Sequence, residues 1–356
     1  MDDSRLEELR TAELDPRARG QAMGSALGEQ IELVLESYLA LFEISRGLGR
    51  NAVLRLGEAA LERVARWQAR LVEELEGVAS GAGVAPELIG ALNARTEIAR
   101  AGGCSVIARL DDADGPWLAQ NWDWYVDAPD RCVVWTAELG GGERLVTMTE
   151  AGILAKLGMN SRGLAVGLNI LQHRRDGGAM GVPVHIILRA LLDSCATIED
   201  AEALIADAPT SASSAITVVD AAGGGAVFEL SPAGYARIDP RDGRLAHTNH
   251  FVEPGLADGE DSELRGDDSR DRLALIEAVR PDTLEAAQEL LRDHSGGPES
   301  ICRHESPSAI TGLPPAGTVV SVSSEPVHGR FHVAAGPPCT FGYTVYDVSP
   351  LGEPVV

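Results

Sequence analysis

Gly102-Gly103-Cys104-Ser105-Val106-Ile107-Ala108 sets a cysteine directly after two glycines and at the head of an apolar run. One cut of the Gly103–Cys104 peptide bond turns an internal cysteine into a chain terminus bearing both a thiol and a free amine. A thiol attacks carbonyls as the thiolate, so a working cysteine needs a base. An α-amine, with a pKa of about 7.7–8, supplies one from within the same residue. Glycine before the cysteine tolerates strained backbone and leaves its own carbonyl open to the thiol. Read alone, the same string also fits a buried, inert cysteine after a glycine turn.

The chain changes character on either side of this point. Upstream, Ile31, Val34, Leu35, Tyr38, Leu41 and Phe42 recur at three- and four-residue steps. Ala60, Leu61, Val64, Trp67, Leu71 and Leu75 do so again, so residues 1–100 read as helical. Gly77, Gly81, Gly83 and Pro86 are expected to interrupt before a short helix over 87–97. Downstream, 133–137, 145–148 and 164–168 are short, β-rich and bounded by turn residues. Runs 216–219 and 227–230 flank Gly223-Gly224-Gly225, which predicts a hairpin, and 318–323 with 329–334 predicts a final strand pair. Helices are expected over 184–192, 198–206, 271–278 and 284–291, with surface loops at 253–268 and 306–317. Strands and helices in separate runs predict an α+β layered fold.

Composition narrows the function classes. A formal charge of −24 over 356 residues argues against nucleic acid or an anionic membrane as partner. No apolar run approaches the roughly 20 residues of a membrane span, and the acidic start Met1-Asp2-Asp3-Ser4 is not a secretory leader. Five cysteines, an odd number, do not suggest a disulfide framework, so a reduced, cytoplasmic protein is the expectation. His247 and His250 lack further ligands at zinc spacing, so no metal is expected there, nor any cofactor.

The strings around the cysteine are more specific. Ala91-Leu92-Asn93-Ala94-Arg95-Thr96-Glu97-Ile98 precedes it; Gln120-Asn121-Trp122-Asp123-Trp124 and Thr149-Glu150-Ala151-Gly152-Ile153 follow. Then come Gly158-Met159-Asn160-Ser161-Arg162-Gly163, Asn169, Gly181-Val182-Pro183-Val184-His185, His247-Thr248-Asn249-His250 and Ser300-Ile301-Cys302-Arg303. In this order, over roughly residues 20 to 325, the chain resembles the acyl-coenzyme A:6-aminopenicillanic acid acyltransferase family. The resemblance implies a single N-terminal-nucleophile (Ntn) hydrolase domain over 1–356, with the four-layered αββα fold. It also implies self-cleavage into a helical α chain, 1–103, and a β chain, 104–356, that remain associated.

Carried over by position, Cys104 is the implied nucleophile and Asp123 the carboxylate that orients its new amine. Asn249 is the implied oxyanion donor, and Asn169 occupies a position with a similar role in the related penicillin V acylases and bile salt hydrolases. Alone, Asp123 reads as a turn or capping residue, and either asparagine as a turn residue. Trp122, Trp124, Tyr125 and Trp135 are candidate pocket residues that fit an ordinary core equally well. Two departures stand out. Gln120 replaces the arginine that cholylglycine-type relatives carry three residues before the aspartate, and 310–317 lacks the late arginine of the penicillin acyltransferase branch. Arg303 is therefore assigned to the structural frame.

The expected reaction is cleavage of an N-acyl small molecule through a thioester acyl-enzyme. Transfer from acyl-CoA to an amine ranks second, with acyl-CoA then a co-substrate. A third reading, of another class, is an unprocessed binding protein that keeps the fold.

Overall fold

The computed structural model describes residues 6–99, 102–261, 268–308 and 311–348. The first part holds β1 (Glu7–Thr11), α1 (Pro16–Ala26), α2 (Gly28–Arg46), α3 (Arg50–Ala82), α4 (Pro86–Asn93) and α5 (Arg95–Ala99). Next come β2 (Gly103–Arg109), β3 (Trp117–Tyr125), β4 (Cys132–Gly140), β5 (Glu143–Glu150), β6 (Leu157–Asn160) and β7 (Leu164–Ile170). After α6 (Val184–Ser194) and α7 (Ile198–Ala206) the chain forms β8 (Ser214–Asp220), β9 (Gly225–Ser231), β10 (Gly234–Ile238) and β11 (Arg244–His247). It ends with α8 (Pro254–Ala257), α9 (Asp268–Val279), α10 (Leu284–Leu290), β12 (Ala316–Glu325), β13 (Arg330–Ala334) and β14 (Thr344–Asp347).

Among the described residues the strands form an eight-stranded sheet, β1-β4-β5-β6-β7-β8-β9-β10, and a six-stranded sheet, β11-β2-β3-β12-β13-β14. They face each other through β2 and β3 against β7. Helices α6 and α7 cover the outer face of the larger sheet, and α9 and α10 that of the smaller. The order is thus α, β, β, α, as expected. Both faces of the central strands are apolar because both are covered: β7 and β8 are buried along their whole length. Gln120 crosses the gap between the sheets, donating to the Leu168 carbonyl at 2.6 Å and accepting from its amide at 3.0 Å.

Three expectations for the first hundred residues are corrected. This stretch is not all helical, because β1 pairs in parallel with β4 at the edge of the large sheet. Its apolar pattern is thin, with Leu9 and Thr11 alone turned inward from the strand. Nor do Gly77 and Gly81 break a helix; both lie inside α3, against Gly20 and Gly24 of α1. A Cβ on Gly77 would sit 2.2 Å from the Arg17 carbonyl, and one on Gly20 2.0 Å from that of Glu74. The four glycines let two backbones touch, where an extra methyl would force them apart. The 87–97 helix is divided at Ala94, the C-cap of α4.

The helical stretch is built into the body of the molecule. Ile31, Val34, Leu41, Leu71 and Leu75 share one core cluster with strand residues Trp135, Val146 and Leu168. Buried Glu74 of α3 pairs with Arg19 of α1 at 2.9 Å and Arg189 of α6 at 3.0 Å. Breaking such a buried network leaves a charge without a partner, which costs about 3–5 kcal/mol. No helix among the described residues is long and apolar enough to cross a membrane.

Candidate active site

The site is assembled by strand register. Pairing of β2 with β3 sets Gly103 opposite Asp123 and Cys104 opposite Trp122. Pairing of β3 with β12 brings Thr318 opposite Asp123, beside an irregularity in register between Thr318 and Val320. Strand β11 pairs with β2, and the turn that follows it delivers Asn249. Asn169 arrives from β7, in the facing sheet. Cys104, Asp123, Asn169 and Asn249, spread over 146 sequence positions, therefore meet at one end of β2.

The Cys104 amide donates to Asn249 Oδ1 at 2.9 Å. The same oxygen accepts from the Arg272 guanidinium at 3.0 Å, and since arginine can only donate, this fixes which end of the asparagine is the oxygen. Asn249 Nδ2 donates to the Ile170 carbonyl at 3.0 Å. Asn169 Nδ2 points at the Cys104 carbonyl oxygen at 3.1 Å, and Arg272 reaches that oxygen at 2.8 Å and Ser105 Oγ at 2.8 Å. Asp123 Oδ1 accepts from Thr318 Oγ1 at 2.8 Å. Its Oδ2 accepts no hydrogen bond, lies 3.3 Å from Arg303 Nε, and would stand 3.2 Å from a Cβ on Gly103. With glycine at 103, this carboxylate lies close against the backbone just before Cys104.

In the continuous chain Cys104 is only 3% exposed. Burial, joined by the Asp123 charge, pushes its thiol up to about 12, against the opposing pull of Arg272, Lys156 and Gln120. At neutral pH the sulfur is therefore protonated and a poor nucleophile.

Trp124 and Tyr125 line a cavity of about 200 Å³ with Tyr38, Leu41, Ile44 and Leu313. Trp122 does not line it; the Lys156 ammonium lies 3.3 Å from its ring centroid, and Arg95 stands over both tryptophans. Arg95 and Lys156 both pair with buried Glu150. Burial would raise that carboxyl, but the two cations outweigh it and hold it below its ordinary range. Gly102, two residues before Cys104, packs close to Trp124 of this lining: a Cβ there would meet Ile170 at 3.1 Å and Trp124 at 3.8 Å. Trp135 is fully buried, its indole N–H on Thr11 Oγ1 at 3.0 Å, so it belongs to the core.

Four further groups escaped the sequence reading. Arg272, Thr318 and Lys156 carried no motif, and Arg303, assigned to the frame, touches the candidate carboxylate directly. Asp268 holds Arg272 and Arg303 side by side. His247 and His250 are occupied as structural residues: His247 contacts Glu229 at 2.9 Å and His250 contacts Ser269 Oγ at 2.8 Å.

Among solved structures the chain is similar to penicillin V acylase from Agrobacterium tumefaciens, with 15% identity, TM-score 0.43, covering 65% of this chain and 83% of that one. It is also similar to a mutant of conjugated bile acid hydrolase from Clostridium perfringens, with 11% identity, TM-score 0.39, covering 71% and 100%. In sequence it is 33% identical over 248 residues to the 40 kDa form of acyl-coenzyme A:6-aminopenicillanic-acid-acyltransferase from Emericella nidulans, 67% of this chain and 68% of that protein. A family model matches residues 110–336, well over half of the chain and starting just past Cys104. On these two sequence matches, the chain belongs to the acyl-coenzyme A:6-aminopenicillanic acid acyl-transferase family.

Proposed function

We propose that this protein is a self-processing cysteine amidohydrolase that cleaves the amide bond of an N-acylated small molecule. The observation that carries the reading is the environment of the Cys104 nitrogen, 2.9 Å from Asn249 Oδ1, with the Asp123 carboxylate against Gly103. An amide needs one acceptor, whereas the ammonium formed by cleavage has three donors, and acceptors already stand around it.

Maturation begins when Cys104 Sγ adds to the Gly103 carbonyl carbon. The C–N bond breaks, the nitrogen gains a proton to become the α-amine, and a thioester links Gly103 to sulfur. Water then hydrolyses the thioester, leaving a Gly103 carboxylate and a free thiol. In turnover the amine takes the thiol proton, and the thiolate attacks the substrate amide. Asn169 Nδ2 and the second Nδ2 hydrogen of Asn249 donate to the oxyanion. The amine product departs with a proton, and water releases the acid. The thiol held at about 12 in the continuous chain supports a dormant precursor whose base does not exist before cleavage. Withdrawal of Gly102 after cleavage would free space beside Ile170 and Trp124, next to the new terminus.

The name of the Emericella nidulans relative favours a second reading, acyl transfer from acyl-CoA to an amine. Both share the acyl-enzyme and differ in whether water or an amine resolves it. Intact mass comes first: two fragments splitting after Gly103 support processing, and one uncut 37.5 kDa chain after long incubation leaves a non-catalytic binding protein. A panel of N-acyl amines and acyl-CoAs then separates the activities. Release of CoA that requires an amine acceptor, without amide hydrolysis, reverses the ranking.

A further inference from the structure

We propose that His294, Cys302, His304 and Cys339 form a tetrahedral zinc site, remote in role from the cysteine nucleophile. The four come from two connections: His294, Cys302 and His304 from the stretch between α10 and β12, and Cys339 from that between β13 and β14. Their ligand atoms all lie within 4.8 Å of one another. Cys302 Sγ is 3.6 Å from Cys339 Sγ, Cys339 Sγ is 3.4 Å from His304 Nε2, and His304 Nε2 is 3.0 Å from His294 Nε2. A tetrahedral zinc with Zn–S of about 2.3 Å and Zn–N of about 2.0–2.1 Å sets its ligand atoms roughly 3.3–3.8 Å apart. The three edges given are close to those of such a tetrahedron, and the rest lie within 4.8 Å, so a small movement of the side chains would close the site on the ion.

The donor set also suits this ion. Two thiolates and two imidazoles are a common structural zinc set, closed to a fifth ligand, whereas magnesium and calcium prefer oxygen. Both imidazoles turn the same nitrogen, Nε2, to one point, and their rings stack at 4.8 Å. Two neutral rings can meet this way only with one Nε2 protonated as donor and the other as acceptor, whereas a cation takes both lone pairs. The sulfurs are too far apart for a disulfide bond of about 2.05 Å, and both cysteines are free. Loading releases the two thiol protons to solvent as the thiolates bind the metal. The ion would clamp the β13–β14 connection to the segment that carries Arg303.

The test uses full-length protein purified in reductant without chelator, or stripped and reloaded with Zn²⁺ or Co²⁺ alone. Elemental analysis should find about one zinc per chain, and Co²⁺ should give the visible absorption of a tetrahedral thiolate-bound ion. His294→Ala, whose side chain is exposed, and Cys339→Ser should each drop retained zinc to near zero against a competing chelator, with circular dichroism reporting the fold. Cys195→Ser should retain the full complement. Zinc absent from the wild type, zinc retained equally by both ligand variants, or a Cys302–Cys339 disulfide in peptide maps of zinc-supplied protein would each overturn the proposal.

Discussion

The segments before and after the Gly103–Cys104 bond are built by different rules. Before it, helices dominate, packed through buried stripes and a glycine-lined crossing of α1 and α3. After it, strand pairing dominates, and every candidate catalytic side chain comes from this part. Yet the two are not separable layers. One core cluster runs through both, β1 completes the edge of a sheet made otherwise by the later segment, and Tyr38 faces Trp124 across the cavity. The first segment supplies scaffold and part of the cavity lining; the second supplies every candidate catalytic side chain. A cut between them would alter the site without dissolving the fold.

The largest effect tests that division at its boundary. Cys104→Ala should abolish both the cut and turnover, read by intact mass and by product formation; residual cleavage would move the nucleophile elsewhere. Asn249→Ala should follow, lowering kcat by about 10²–10³ if the side chain stabilises an oxyanion. A change confined to KM would make it a binding residue instead. Alkylation by iodoacetamide at pH 8 should then distinguish the two states of one cysteine. In the uncut chain the Cys104 thiol, pushed up to about 12, should react slowly, and after cleavage at least about 10-fold faster. Equal rates would mean that cleavage does not create the base.

Smaller effects fall on the helical side. Gly77→Val should cost about 1–3 kcal/mol in denaturant unfolding by prising α1 from α3. The fragments of processed protein should still co-elute, since the shared core is intact; separation in native buffer would show two independent units. An effect that shows only across a pH range concerns Glu97, which accepts from the Val184 amide at 2.8 Å while its other oxygen has no partner. Burial raises this carboxyl from 4.5 to about 7. The folded state thus binds its proton more tightly than the unfolded chain, so stability present below about pH 4.5 is lost as pH rises through about 7. Measured from pH 5 to pH 8, the wild type should lose about 2.5 kcal/mol relative to Glu97→Gln, most of it below pH 7; parallel curves would remove Glu97 as the cause.

Legibility in the sequence followed the range of the interaction. The stripes of α2 and α3, the β8–β9 hairpin and α7, found at its expected 198–206, are local patterns in which each residue reports its own burial. Strands β1, β6, β10, β11 and β14 went unread because they are only four or five residues long, and β3, which carries Asp123, because both its faces are buried and its polar and apolar residues do not alternate along its length. Asn249 and Asn169 were identifiable by resemblance to a family, not by their surroundings. Arg272 and Thr318 left no local trace, since their roles depend on which strand becomes a neighbour.

By itself, then, the chain order determined which segments are helical or extended, and it marked Gly103–Cys104 as the bond to watch. Tertiary structure alone decided which acceptors face that nitrogen, that Arg303 stands against Asp123, and that His294, Cys302 and His304 from one connection meet Cys339 from another. Periodicity is written along one dimension. Charge pairing and ligand geometry act across space, between residues up to 195 positions apart in the Asp123–Thr318 bond, and exist only once the sheets have closed.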